Sequence, residues 1–151
     1  MKIVNNLTDL EKALNENSTI CFKTDTIWGL SINPTKKENI ETLYKIKQRS
    51  LSKPTIFLIK SKEELENLVE EITPLHQKLI DAFWPGPLTI IFKAKKKLKI
   101  LEAFTDNKTI ALRLPKDKLT QNLLNLLPYP LPTTSVNLEG KPSLNSFSEI
   151  I

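Results

Sequence analysis

Three glycines, one cysteine, one histidine and one methionine are all this 151-residue sequence has of those types, and each shortage excludes something. A lone Cys21 forms no disulfide within the chain, and with the single His76 it makes no metal-binding set. No apolar run approaches the roughly eighteen residues of a membrane-spanning helix. The start, Met1-Lys2-Ile3-Val4-Asn5-Asn6, lacks the long apolar segment and small-residue cleavage site of a secretory signal. These absences lead us to expect a cytoplasmic, metal-free protein with no membrane segment. Scarce glycine also carries information: Gly29, Gly86 and Gly140 are expected where the backbone needs a positive φ or a close approach, and each falls in a candidate motif.

What the chain does contain is ordinary for a globular domain, with 40% hydrophobic and 26% charged residues, and the length suffices for one core. The net charge of +5 suits a polyanionic partner, nucleotide or nucleic acid. Periodicity predicts helices over residues 7–16, capped by Thr8 or Asp9, and over 36–48, 61–70, 74–83 and 117–127. Ser61 and Glu64 read as a capping box for the third of these. His76 reads as structural. Apolar runs predict strands at 19–22, 55–59, 88–92 and 109–115, with 55–59 central and buried on both faces. Helices and strands mix without strict alternation and without repeats. That pattern points to one α/β domain: an open, twisted, mixed sheet with flanking helices and polar strand ends collected on one side.

Four stretches carry candidate chemistry. The run Thr133-Thr134-Ser135-Val136-Asn137 sets hydroxyls and a carboxamide at a strand end, donors that hold phosphate or carboxylate. Lys47-Gln48-Arg49 places two cations one residue apart, so that an oxyanion could sit between this pair and Ser135/Asn137. Thr24-Asp25-Thr26 before Trp28-Gly29 is either a ligand-binding strand end or a plain Asx turn. Arg113, embedded in an apolar strand, must meet an anion: a structural ion-pair partner or a ligand carboxylate. The lysines from Lys93 to Lys99 read as a solvated loop or a tRNA-facing patch. No Ser/His/Asp or Cys/His set offers a covalent nucleophile.

Taken together, Thr-Asp-Thr-Ile-Trp-Gly-Leu (24–30), Lys-Gln-Arg (47–49), Trp-Pro-Gly-Pro-Leu-Thr (84–89), Ala-Leu-Arg-Leu-Pro (111–115) and Thr-Ser-Val-Asn-Leu-Glu-Gly (134–140) resemble, in order and spacing, the YrdC-like threonylcarbamoyl-AMP synthases. The resemblance spans essentially the whole chain and implies one YrdC-like domain over 1–151 with a basic concave surface. It also implies an activity: L-threonine, bicarbonate and ATP, as its Mg2+ complex, become threonylcarbamoyl-AMP and pyrophosphate. Partner proteins would then transfer the threonylcarbamoyl group to the adenosine beside the tRNA anticodon, and the basic surface could touch tRNA. By motif, Lys47, Arg49, Ser135 and Asn137 form the catalytic tetrad. Lys53, Thr109 and Ser143 join them in holding ATP, while Thr26, Arg113 and Thr133 hold L-threonine. No metal is held by protein side chains. The sequence departs from the family at Lys23, where proline is usual, and at Trp28, where tyrosine or phenylalanine is usual. It ends at Ile151, before a Ser-Thr-containing segment usual in the family, so the domain is expected to be short at its C-terminus. The competing readings are an RNA-binding module and a non-catalytic subunit of the tRNA-modifying assembly.

Overall fold

The computed structural model describes residues 3, 6–50, 55–96, 98 and 108–150. In chain order the elements are α1 (Leu7–Asn15), β1 (Ile20–Lys23), β2 (Trp28–Ser31), α2 (Lys37–Lys47), β3 (Ile56–Leu58), a 3-10 turn (Lys62–Glu64) running into α3 (Leu65–Leu68), α4 (Pro74–Phe83), β4 (Ile90–Lys93), β5 (Thr109–Arg113), α5 (Lys118–Leu126), β6 (Leu131–Ser135) and α6 (Phe147–Ile150). Six strands form one sheet in the order β1-β2-β6-β3-β5-β4. The β3–β5 pair is parallel and the other four pairs are antiparallel, so the sheet is mixed, as expected.

Side chains alternate across a strand, and directly paired residues share a face. One face therefore carries Leu30, Phe57, Ile90, Phe92, Ile110 and Leu112. These are buried with Ile40, Leu43 and Tyr44 of α2, Leu65 and Leu68 of α3, and Ile80 of α4 in the larger core. The other face is divided. Ile20, Phe22, Leu58 and Leu131 pack with Leu14 of α1 and Leu123 and Leu124 of α5 in a second core. Beyond that cover the same face continues as Gly29, Ser31, Thr133, Ser135, Ile56, Ala111, Thr109 and Arg113. Within single strands that face turns from leucine to small and polar residues, of which Gly29, Ser31, Thr133 and Arg113 are buried, Ser135, Ile56 and Ala111 half-buried and Thr109 exposed.

Several local expectations need correction. Helix α1 is capped by neither Thr8 nor Asp9: the Asn6 carboxamide oxygen accepts the Asp9 N–H at 2.8 Å. The Ser61/Glu64 box does not form, because the Glu64 carboxylate accepts the Lys60 N–H at 2.8 Å. The predicted helix shrinks to a 3-10 turn and one helical turn, since Val69 bridges to Ala94 as strand. A capping box does occur at Thr73 and His76, which gives His76 its structural role. Residues 28–31, for which no strand was predicted, form strand β2, and Leu88 and Thr89 precede β4 rather than belonging to it.

Candidate functional site

Two polar clusters meet the polar half of the divided face. The first lies at the end of β6. Helix α2 ends at Lys47 because Gln48 adopts the left-handed conformation at φ 51°, which turns the chain away from the helix axis. Lys47 is 4% exposed. Its ammonium reaches across the sheet end to donate to the Ser135 carbonyl at 2.5 Å and to the Asn137 Oδ1 at 2.6 Å, with the Ser135 hydroxyl at 3.4 Å. Ser135 Oγ donates to the same Asn137 oxygen at 2.6 Å, and Asn137 Nδ2 donates to the Lys141 carbonyl at 2.6 Å. Burial, and secondarily the nearby Arg49 guanidinium, push the Lys47 ammonium down to about 8 from its ordinary 10.5.

This geometry differs from the expected one in a definite way. The two cations do not face a gap opposite Ser135 and Asn137, because Lys47 already bonds both residues directly. Arg49 Nη1 instead lies 3.4 Å from the Thr134 hydroxyl, whose side chain leaves β6 on the opposite face from Ser135. The Glu139 N–H donates to the Lys47 carbonyl at 3.0 Å and the Leu144 N–H to the Val136 carbonyl at 2.9 Å. The second of these bonds brings the half-buried Ser143 alongside the end of β6.

The second cluster surrounds Arg113, whose side chain is 8% exposed. Its Nη2 forms an ion pair with Asp25, Nη1 donates to the Thr26 hydroxyl at 3.0 Å, and Nε donates to the Gly86 carbonyl at 3.3 Å. Of the two anions considered for Arg113, the protein itself supplies one. The turn bearing Asp25 and Thr26 holds its shape through Thr24, whose hydroxyl donates to the Ile27 carbonyl at 2.7 Å. The break at Trp84-Pro85-Gly86-Pro87, with a cis Trp84–Pro85 bond, presents the Gly86 carbonyl. Its N–H is tied to the Leu114 carbonyl at 2.8 Å. A Cβ on Gly86 would lie 2.4 Å from the Phe83 backbone oxygen, so only glycine fits. Gly29 joins the two clusters. It pairs with Ser135, and a Cβ there would sit 2.8 Å from Thr133 Cγ2 and 3.3 Å from Thr24 Cγ2.

The remaining expected site residues are more dispersed. Thr133 is buried, and its hydroxyl pairs with Ser31 Oγ at 2.7 Å. Thr109 is exposed and pairs with Lys93; Ala111 and Thr133 both pair with Ile56, so Thr109 and Ser135, two residues from each, share a face and a strand end with β3 between them. There it helps line a cavity of about 320 Å³ with Glu70, Ala94, Lys96 and Lys108. Lys53 lies outside the described residues, as does part of the Lys93–Lys99 run. No three potential metal-ligating side chains gather among the described residues. No described helix is long and apolar enough to cross a membrane. Sequence reasoning passed over Asp25 and Gly86 as site residues, although both stood inside its motifs; the demand of Arg113 for an anion was the signal that could have found Asp25.

Comparison with known proteins places this geometry in a family. The Sua5/YciO/YrdC family model, described as telomere recombination, matches residues 12–151. The chain is 35% identical to a putative threonylcarbamoyl-AMP synthase of Methanocaldococcus jannaschii over 93% of its own length and 64% of that protein. It is 32% identical to the threonylcarbamoyl-AMP synthase of Pyrococcus abyssi over 88% of its own length and 39% of that protein. Among solved structures, P. abyssi Sua5 in complex with L-threonine superposes with a TM-score of 0.83 at 29% identity, covering 95% of this chain and 42% of that one. The chain thus spans between two fifths and two thirds of these relatives' lengths. Motifs, fold and match over nearly the whole chain agree: this protein belongs to the Sua5/YciO/YrdC family.

Proposed function

We propose that the protein is a threonylcarbamoyl-AMP synthase that condenses L-threonine, bicarbonate and ATP. The observation that carries this reading is the gathering of an ammonium, a hydroxyl and a carboxamide at one end of β6. They come from positions 90 residues apart in the sequence and lie beside a face that also presents Arg113, which bonds Thr26 of the β1–β2 turn. Lys47, Arg49, Ser135 and Asn137 would hold the triphosphate, aided by Lys53, Thr109 and Ser143, with Mg2+ arriving on ATP. Thr26, Arg113 and Thr133 would hold the amino acid.

In this reading the threonine amine attacks the carbon derived from bicarbonate, and water leaves as the carbamate forms. A carbamate oxygen then attacks the α-phosphorus, and pyrophosphate departs with the electron pair of the broken P–O bond. Fixed cations lower that barrier by stabilising charge that grows on the leaving pyrophosphate. Holding the reactants together supplies the rest, with no covalent nucleophile required. The product would pass to partner proteins that modify tRNA in the cytoplasm, where a lone Cys21 stays reduced. Lys93, Lys96 and Lys108 around their cavity offer a place for tRNA phosphates.

Pyrophosphate release tests the proposal. Release is expected when ATP, bicarbonate and L-threonine are all present, and should cease when any one is omitted. Threonine-independent ATP hydrolysis, or no release at all, would overturn it.

A further inference from the structure

We propose that Asp25 is a positioning residue for amino-acid recognition: it fixes the Arg113 guanidinium so that the remaining N–H groups are offered to a substrate carboxylate. The inference rests on the reading above, in which Arg113 faces L-threonine. A guanidinium has five N–H groups. Nε–H goes to the Gly86 carbonyl, one Nη1 hydrogen to Thr26 and one Nη2 hydrogen to Asp25. Among the described residues nothing takes the second N–H of either terminal nitrogen, which leaves one on each for a ligand.

Asp25 is itself anchored. Its second carboxylate oxygen accepts the Lys116 N–H at 3.2 Å, and its own N–H donates to Asp117 Oδ2 at 3.2 Å. The other oxygen of Asp117 caps α5 by accepting the Thr120 N–H at 2.8 Å. Asp25 is thus braced against a helix start, and Arg113 is braced against Asp25. The pair is 8% and 15% exposed and neutral as a unit. An uncompensated arginine in that position would be costly. A substrate carboxylate therefore adds to a fixed, already neutralised fork; displacing Asp25 would break its bonds to Lys116 and Asp117 as well.

Two variants separate positioning from scaffolding. Asp25→Asn keeps the shape and loses the charge, whereas Asp25→Glu keeps the charge but moves the guanidinium by one methylene. The measurements are titration calorimetry of L-threonine with a non-hydrolysable ATP analogue present, calorimetry of the analogue alone, and the melting temperature. Both variants should weaken threonine binding about tenfold, the size of one charge-assisted hydrogen bond. The analogue should bind within about twofold of wild type, and Asp25→Glu should melt close to wild type.

Unchanged or tighter threonine binding in Asp25→Glu overturns the proposal, as does parallel weakening of both ligands with lost stability. So does a wild-type chain that binds no threonine. A wild type that binds threonine but releases no pyrophosphate removes the proposed function alone. In that case the two variants still decide the role of Asp25.

Discussion

Lys47 is where burial and charge meet most sharply. Its ammonium, held near 8 by desolvation and Arg49, loses its proton as pH rises through that value. If it grips the triphosphate, ATP affinity should fall between about pH 7 and 9. The inflection should appear in kcat/KM, which reports the free protein, since bound phosphate would raise the pKa again. A flat profile would take Lys47 off the phosphates. Stability should move the other way. Between about 8 and 10.5 the unfolded chain holds a proton that the folded chain has shed, so stability rises with pH across that window. Melting curves at matched ionic strength would show it. Some of this was legible in the sequence: Lys47, Ser135 and Asn137 were marked, and they do touch. Arg49 was marked too, but it turns toward Thr134, because one left-handed residue, Gln48, separates the two cations. A spacing of two residues says nothing about φ.

At the level of elements, the turn at 84–87 and the hairpin β1–β2 serve the site without supplying its reactive groups. Gly86→Ala would drive a methyl into the Phe83 carbonyl, a backbone atom that cannot move aside. Gly29→Ala would press only on the methyls of Thr133 and Thr24. Gly86→Ala should therefore cost more, about 1–3 kcal/mol as for other overpacked sites, and should weaken threonine binding through the displaced Gly86 carbonyl. Denaturant melts of both variants check the ranking; equal losses would contradict it. The strands with long apolar runs were readable, as was the break at Trp84-Pro85. Strand β2 was not. Trp28-Gly29-Leu30-Ser31 is only four residues long and contains a glycine, so its own pattern is too weak to announce a strand although its hairpin partner β1 is adjacent. The Ser61/Glu64 box failed for a similar reason: two residues suited to a cap do not reveal that Lys60 claims the carboxylate first.

At the scale of the whole molecule, the charge of +5 and the lysine-lined cavity beside Thr109 bear on tRNA. If phosphates lie there, tRNA retention should fall steeply between about 50 and 200 mM salt, and Lys96→Glu should flatten the slope by about one unit. Filter binding across that range measures it; a salt-insensitive or Lys96-independent interaction would rule the cavity out. The sheet order has a further consequence, for the protein's own synthesis. Ser31 and Thr133, whose hydroxyls bond across β2 and β6, stand 102 residues apart. At about 5–20 residues per second the first hairpin waits on the order of ten seconds for its partner. Through that interval β2 is an open edge, the kind of surface on which nascent chains join one another. Growth in the cold, or on slowly read messages, should therefore penalise this fold more than one whose neighbouring strands are neighbours in sequence.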